Sequence, residues 1–146
     1  MPREERSPRE RLGREIATTM GGLVRRFRAA FVACADELGL GPSEAQLIWL
    51  LDEAGDASTG DLARRLGVDP ANASTLLTKL ERRGLVRRVP AERDRRRRLV
   101  SLTDEGREAK ATLTRCIGSR QPGFGQLTTA ELVSFRDLLR RVAGDD

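Results

Sequence analysis

The stretch from Asp61 to Val86, DLARRLGVDPANASTLLTKLERRGLV, contains two short apolar patterns separated by a turn. The first pattern ends at Gly67; the second begins at Pro70, a residue that suits the first position of a helix, and ends at Gly84. The apolar residues are Leu62, Ala63 and Leu66 in the first segment and Ala73, Leu76, Leu77 and Leu80 in the second. Their spacing matches one face of a helix in each segment, and two short helices with a glycine in the turn predict a helix-turn-helix.

Residues 85–102, LVRRVPAERDRRRRLVSL, place two short apolar runs on either side of an arginine cluster. The runs predict the strands of a hairpin whose tip, residues 93–98, carries five arginines. From Arg82 to Arg98, nine arginines stand against only Glu92 and Asp94, so this segment carries +7 and the rest of the chain −2 of the total +5. Such concentrated positive charge indicates a contact with nucleic acid, with a merely solvated hairpin as the alternative.

A long helix is predicted ahead of this region, over residues 9–38, because apolar residues recur there at steps of three and four. A helix of that length spans about 45 Å, which is more than a small core covers, so part of its apolar face is expected to contact another chain. Gly21 and Gly22 mark a point where this helix is expected to bend or break.

Polar residues mark where the remaining helices should begin. Ser43 is expected to cap a second helix that runs to about Ala54 and is followed by a turn at residues 55–57. Ser58 or Thr59 should cap the first helix of the helix-turn-helix, and Thr103 the helix after the hairpin. That helix is predicted to stop at residues 121–125, QPGFG, before a last helix that begins at Thr128 or Thr129.

The composition argues against several classes of function. The chain has no histidine and two cysteines, so we expect no metal site, no cofactor and no enzymatic activity. Cys34 and Cys116 are too few for a disulfide scaffold, and we expect each to be a buried structural cysteine rather than an oxidant sensor. No apolar run is long enough for a membrane span and no signal peptide is apparent, so a cytoplasmic protein is expected.

DLARRLGVDPANASTLLTKLERRGLVRR, followed by DRRRRLVSLTDEG, resembles the MarR (multiple-antibiotic-resistance regulator) family of transcription factors. The resemblance implies a mainly α fold with a small β-hairpin wing. It implies a frayed segment at 1–8, a single unit at 9–146, a winged helix-turn-helix at 43–102, and dimerisation helices at 9–38 and 104–143. It also implies a homodimer, most often a repressor, that binds double-stranded DNA at a pseudo-palindromic operator and releases it when a small-molecule effector binds.

The polar face of the second helix of the helix-turn-helix supplies the candidate base-reading residues. They are Asn72, Ser74, Thr75, Thr78 and Lys79. Asparagine pairs with adenine edges, serine and threonine reach bases or phosphates, and lysine suits a phosphate or guanine. The alternative is that these small polar residues only solvate the helix.

The candidate wing residues are Arg93, Asp94, Arg95, Arg96, Arg97 and Arg98. Arginine is attracted to the negative potential of a narrow minor groove. The resemblance implies that Asp94 orients a neighbouring arginine and that Arg95 or Arg96 enters the groove, while the other arginines contact the DNA backbone. For Arg82, Arg83, Arg87 and Arg88, solvation and DNA contact both remain open.

Phe27, Phe31 and Trp49 are candidates for the effector pocket that the resemblance implies, with ordinary core packing as the alternative. The chain lacks the tyrosine and histidine that often hold phenolic ligands in relatives. The break at 121–125 is a departure from the family pattern and indicates either a shorter dimer stem or a hinge.

Two other functions remain open at this point. One is a winged-helix protein that coats or bends DNA without strong sequence preference. The other is an interaction module whose wing binds an acidic protein partner. The polar helix face favours sequence reading over the first, and its pairing with a basic wing favours DNA over the second.

Overall fold

The computed structural model describes residues 7–51, 57–91, 98–120 and 123–144. In chain order the elements are α1 (Pro8–Glu37), α2 (Pro42–Leu50), β1 (Ala57–Ser58), α3 (Thr59–Leu66), α4 (Pro70–Arg82), β2 (Val86–Pro90), β3 (Arg98–Leu102), α5 (Asp104–Arg120), a 3-10 turn (Phe124–Gln126) and α6 (Thr129–Ala143). The mainly α fold with a small β wing is therefore confirmed. Of the bend or break expected at Gly21 and Gly22, a break is excluded, because α1 continues through both residues.

The chain forms two compact units. One comprises residues 27–119 and contains the end of α1, the helix-turn-helix, the sheet and nearly all of α5. The other comprises residues 1–26 and 120–146, of which 7–26, 120 and 123–144 are described, and contains the start of α1 and all of α6.

The sheet has three strands in the order β1-β3-β2, all antiparallel. The β2–β3 hairpin was predicted, and Val86 pairs with Leu102 at its base. The third strand was not predicted: Ala57, which was expected in a turn, pairs with Val100. The segment that leads into α3 is thereby attached to the wing.

The core of the 27–119 unit is an apolar cluster to which every helix and strand of the unit contributes. Its largest fully buried side chains are Leu47, Ile48, Leu51, Leu62, Leu77, Leu80, Val100, Leu102 and Leu113. The ammonium group of Lys110 on α5 donates to the carbonyl of Leu51, at the end of α2. The helix-turn-helix, the wing and α5 therefore share one hydrophobic core.

Of the four helix caps expected from the sequence, one was wrong and three are confirmed. Helix α2 begins after Gly41 rather than Ser43, because Pro42 occupies the first helical position and the Glu44 carboxylate accepts from the Gly41 N–H at 2.9 Å. Ser58 caps α3, and its hydroxyl accepts from the Asp61 N–H. Thr103 accepts from the Gly106 N–H at 3.0 Å, and Thr128 caps α6.

The sequence suggested two separate cysteine thiols, and that expectation was wrong. Cys34 on α1 and Cys116 on α5 form a disulfide with a Cα–Cα distance of 5.9 Å across 82 residues of sequence. In the chain-entropy account, closing a loop of that length stabilises the folded state by about 4 to 5 kcal/mol. The bond therefore joins α1, which precedes the helix-turn-helix, to α5, which follows the wing.

Gly106, in the first turn of α5, allows that helix to approach the start of β2 closely. A Cβ at this position would lie 1.9 Å from the Leu85 carbonyl oxygen and 3.2 Å from a methyl carbon of Leu102. The same Leu85 carbonyl accepts from the Thr103 N–H at 3.1 Å. Only a residue without a side chain fits here, which explains the glycine of the LTDEG motif.

We predict that Gly106→Ala lowers the free energy of unfolding by about 1–3 kcal/mol, because the methyl group forces α5 away from Leu85. Urea denaturation measures the change. Gly118→Ala is the matched control on the same helix, since a Cβ there meets no atom within 4 Å. It should be neutral or stabilising by up to about 1 kcal/mol. Equal effects of the two substitutions would contradict this account of Gly106.

Candidate nucleic-acid interface

The two helices of the helix-turn-helix are fixed at their N-termini by side-chain caps. Asp69 caps α4 by accepting from the Asn72 N–H at 2.9 Å. At the start of α3, the Ser58 hydroxyl donates to the Asp61 carboxylate at 2.6 Å, and Arg64 pairs with the same carboxylate. These two hydrogen bonds, the one from Ser58 foremost, lower the pKa of Asp61 below its ordinary value. The Asp61 carboxylate therefore stays charged to a lower pH than a free aspartate does.

Three of the five candidate base-reading residues lie on one exposed stripe of α4. Asn72, Thr75 and Lys79 are all exposed and follow one another at helical steps of three and four. Arg82 is also exposed and lies one further step along, so it extends the stripe. The Asn72 amide contacts the Asp69 carboxylate, which orients that side chain at the start of the helix.

The other two candidates are only half-exposed. Ser74 and Thr78 are partly buried, and the Thr78 hydroxyl donates to the Ser74 carbonyl at 2.9 Å. Thr78 also accepts from Arg88 on β2, at 3.4 Å. Thr78 therefore contacts the wing through Arg88.

Arg88 lies on the inner face of the sheet, a position the sequence had left open. It pairs with the buried Val100 across the sheet and is two residues from the buried Val86. Besides its contact with Thr78, its Nε lies 3.7 Å from a carboxylate oxygen of Glu81. That Nε is buried without a hydrogen-bond partner, so the charge of Glu81 compensates its burial. Arg88 therefore connects the wing to α4.

Arg83, just past the end of α4, also has a structural role that sequence reasoning missed. Its guanidinium donates to the carbonyls of Gly39 at 2.8 Å and Leu38 at 3.3 Å, and lies 3.6 Å from Glu44. Carbonyl groups at a helix C-terminus carry partial negative charge, so they suit an arginine. This side chain fixes the end of α4 to the link between α1 and α2.

The wing tip lies largely outside the described residues. Arg93, Asp94, Arg95, Arg96 and Arg97 fall there, so their predicted roles stay predictions. Arg98 begins β3 opposite Pro90 and is exposed. Two residues along the same strand, Val100 is buried, so Arg98 lies on the same face of the sheet as the core but at its open end.

The three aromatic candidates for an effector pocket lie together. The Phe31 and Trp49 rings meet edge-to-face with centroids 6.0 Å apart, and Phe27 lies 6.2 Å from Phe31 and 6.5 Å from Trp49. Phe27 is exposed, whereas the other two rings are half-buried. Phe31 and Trp49 therefore pack against the core, and Phe27 extends the aromatic cluster to the surface.

Within the described ranges, no helix is both long and apolar enough to cross a membrane. The same ranges hold no group of three or more carboxylate or cysteine side chains placed to bind a metal ion.

The sequence pattern of the MarR family matches residues 38–97, the region that contains α2, the helix-turn-helix and β2. Over these residues the chain is similar to the MarR family. Members of this family are transcriptional regulators and not enzymes. This similarity lies in the part of the chain that carries the exposed stripe of α4.

Individual relatives agree with this similarity. The chain is 35% identical over 94 residues to YdgJ of Bacillus subtilis, an HTH-type transcriptional regulator, covering 64% of this chain and 56% of YdgJ. It is 52% identical over 54 residues to the transcriptional activatory protein BadR of Rhodopseudomonas palustris, covering 37% and 31% respectively. The chain thus spans about half the length of YdgJ and less of BadR.

A solved structure shows the same fold at low identity. It is a variant of MepR from S. aureus bound to an oligodeoxyribonucleotide, with a TM-score of 0.61 and 18% identity. The match covers 89% of this chain and 96% of that one. At this identity the likeness concerns the fold alone.

We predict that Arg88→Ala lowers the free energy of unfolding by about 1 kcal/mol, because it removes the connection between β2 and α4. Arg87→Ala is the matched control: it removes the same charge from the neighbouring, exposed position and should change stability by less than about 0.5 kcal/mol. Urea titration of both variants measures the difference. If the two variants lose equal stability, Arg88 does not hold the wing to α4.

Proposed function

We propose that this protein is a homodimeric transcriptional regulator that reads a specific sequence in double-stranded DNA. The observation that carries the proposal is the exposed polar stripe of α4 next to a strongly cationic wing. Asn72, Thr75 and Lys79 offer hydrogen-bonding groups of the kind that read base edges in a major groove. The arginines of the wing, of which Arg98 is described, supply charge for phosphates and the minor groove.

The homodimer is supported by the unit formed around residues 7–26 and 123–144. Every buried hydrophobic side chain in the described ranges lies between residues 27 and 119, so the other unit buries none of its own. Its exposed large apolar residues are Leu12, Ile16, Met20 and Val24 on α1, Leu127 just before α6, and Val133, Leu138, Leu139 and Val142 on α6. An ordered helix with no buried face does not offset its conformational entropy, and exposed apolar surface of this extent is typical of an interface.

An apolar groove lies along α6, which carries part of that surface. It has a volume of about 410 Å³ and is lined by Phe124, Leu132, Phe135, Leu139 and Ala143, with Arg136 and Arg140 at its edge. We assign it to the partner subunit, with residues 9–38 and 104–143 as the dimerisation helices. This arrangement places two copies of α4 in one particle, as a palindromic site requires.

We predict that Leu139→Glu converts the dimer to a monomer, because it places a charge in the middle of the apolar groove. Ala130→Glu introduces the same charge near the start of the same helix, at an exposed residue outside the groove, and should leave the dimer intact. Sedimentation equilibrium at several concentrations measures the association state. A dimer that survives Leu139→Glu would exclude α6 as the interface.

Recognition of a specific DNA sequence is tested by selecting the duplexes that the protein binds from a random pool at about 150 mM salt. We expect an enriched inverted repeat whose half-site centres lie about one helical turn apart. About four phosphate contacts per subunit would give a log–log salt slope near −7 for the dimer. Binding without enrichment would instead support the alternative of a DNA-coating protein, and no binding at all would support an acidic protein partner.

Two variants separate base reading from backbone contact. Thr75→Ala should change the preferred base at one position of each half-site, since this exposed hydroxyl lies on the stripe of α4. Arg98→Ala should weaken binding to most sequences and flatten the salt slope by about 2, because two phosphate contacts are lost per dimer. Equal losses on every sequence from both variants would contradict this division of roles.

We further propose that the protein is a cytoplasmic repressor that a small-molecule effector releases from DNA. The aromatic cluster of Phe27, Phe31 and Trp49 supports an effector site, because the exposed Phe27 ring offers a surface on which a flat ligand stacks. Trp49 is the only tryptophan of the chain, so its fluorescence would report ligand binding directly. Activation, which is the role named for BadR, is the alternative to repression.

A further inference from the structure

The disulfide joins α1 to α5, and residues that flank these two helices contact the end of α4, the second helix of the helix-turn-helix and the proposed recognition helix. On the α1 side, the Leu38 and Gly39 carbonyls that follow the helix accept from Arg83. On the α5 side, the Thr103 hydroxyl donates to the Gly84 carbonyl at 2.6 Å, and its N–H donates to Leu85. Residues 83–85, where α4 ends, are therefore held from two directions, and the bond between Cys34 and Cys116 fixes those two supports to each other.

The two sulfur atoms differ in access. Cys34 is fully buried in the core, whereas Cys116 is half-exposed on α5. On this difference in residue exposure, we expect a small thiolate in solution to attack at Cys116 rather than at Cys34. A carboxylate oxygen of Glu37 lies 3.5 Å from the Cys116 sulfur, so the thiol that reduction produces has a hydrogen-bond acceptor. Both the bonded and the reduced form are thus compatible with the local structure.

We propose that Cys34 and Cys116 form a reversible thiol–disulfide exchange site for low-molecular-weight thiols and disulfides, and that its bonded form binds DNA more tightly. The inference rests on the proposed DNA-binding function. A regulator that acts on DNA in the cytoplasm works where disulfides are rare and, when present, are usually transient and redox-sensing. The bonded form binds more tightly because its recognition helix is held in place before DNA arrives, so less freedom is lost on binding.

The chemistry needs only a small thiol and its disulfide. A thiolate RS⁻ attacks the Cys116 sulfur, the protein S–S bond breaks, and Cys34 leaves as a thiolate that takes up a proton. A second RS⁻ then attacks the R sulfur of the mixed disulfide, which releases the Cys116 thiolate, subsequently protonated, and RSSR. Overall, the protein disulfide gains two electrons and two protons while two RSH become RSSR. The reverse sequence oxidises the protein.

Thermodynamic linkage between disulfide formation and DNA binding provides a second, independent measurement. If bonding raises the affinity for DNA by some factor per disulfide, saturating DNA must favour the bonded form over the reduced form by the same factor. We expect a factor of about five or more, the lower end of typical coupling between sites. A disulfide that only stabilises the fold would show no such shift with DNA.

The experiment equilibrates the full-length protein in glutathione buffers that span a wide range of thiol-to-disulfide ratios, with and without the DNA selected above. Alkylation of free thiols followed by mass measurement gives the bonded fraction, and DNA binding is measured at both ends of the range. We expect about fivefold tighter binding by the bonded form and a midpoint ratio displaced by the same factor when DNA is present.

Variants provide the control. Cys116→Ser removes the half-exposed sulfur, and we expect it to bind DNA like the reduced wild type and to ignore the buffer ratio. Cys34→Ala serves the same purpose should the first variant fold poorly. The wild-type midpoint shift needs no substitution at all, so the test stands even if both variants unfold.

The failures can be told apart. Equal DNA affinity of the two forms, with a midpoint that DNA does not move, would overturn this inference and leave DNA binding intact. The same holds if the protein stays fully reduced or fully bonded at every ratio. If neither form binds any DNA, the proposed function fails, and the link from the disulfide to DNA affinity fails with it.

Discussion

The position of α4 depends on how its C-terminal end is held, and the central contact there is between the start of α5 and Leu85. The Leu85 carbonyl accepts from the Thr103 N–H, and Gly106 leaves room for the first turn of α5 beside it. The Thr103 hydroxyl accepts from Gly106 and donates to Gly84, so a single side chain caps α5 and fixes the residue after α4. Because the wing begins at Val86, the same contact also sets where β2 leaves the core.

Arginines occupy two different environments in this region, and their positions on the strands and helices separate them. Arg83 and Arg88 point toward carbonyl or carboxylate oxygens of neighbouring elements and hold α4 in place. Arg82 and Arg98 are exposed and remain available to an outside partner. The local positive charge is therefore not all an electrostatic footprint for DNA, since part of it is used to position the helix that would read the bases.

Much of the fold could be predicted because the helices of this chain have strong periodic patterns and clear caps. Helices α1, α3 and α4 follow from the spacing of apolar residues, and the hairpin from two apolar runs around a charged tip. The two-residue strand β1 has no pattern of its own, since its pairing depends on β3, which is far away in sequence. The exposed stripe of Asn72, Thr75 and Lys79 was predictable for the same reason as α4 itself.

Contacts between distant residues were not predictable from the same information. The pairing of Cys34 with Cys116 depends on where α1 and α5 pack, and spacing along the chain does not reveal that. For Arg88, the run VRRV does not show which arginine faces inward, because Val86 and Val89 lie on opposite faces of the strand. The sequence therefore identifies the element that carries the site, whereas the residues that position that element emerge only from tertiary packing.

The two compact units differ in how much apolar surface they bury. The 27–119 unit has a closed core and an internal disulfide, so it is stabilised within one subunit. The helical segments outside it expose apolar side chains, a pattern typical of surfaces that bind a partner. Helix α1 belongs to both units, and its Cys34 lies on the side of the closed core. Both cysteines therefore lie in the unit that contains the helix-turn-helix and the wing.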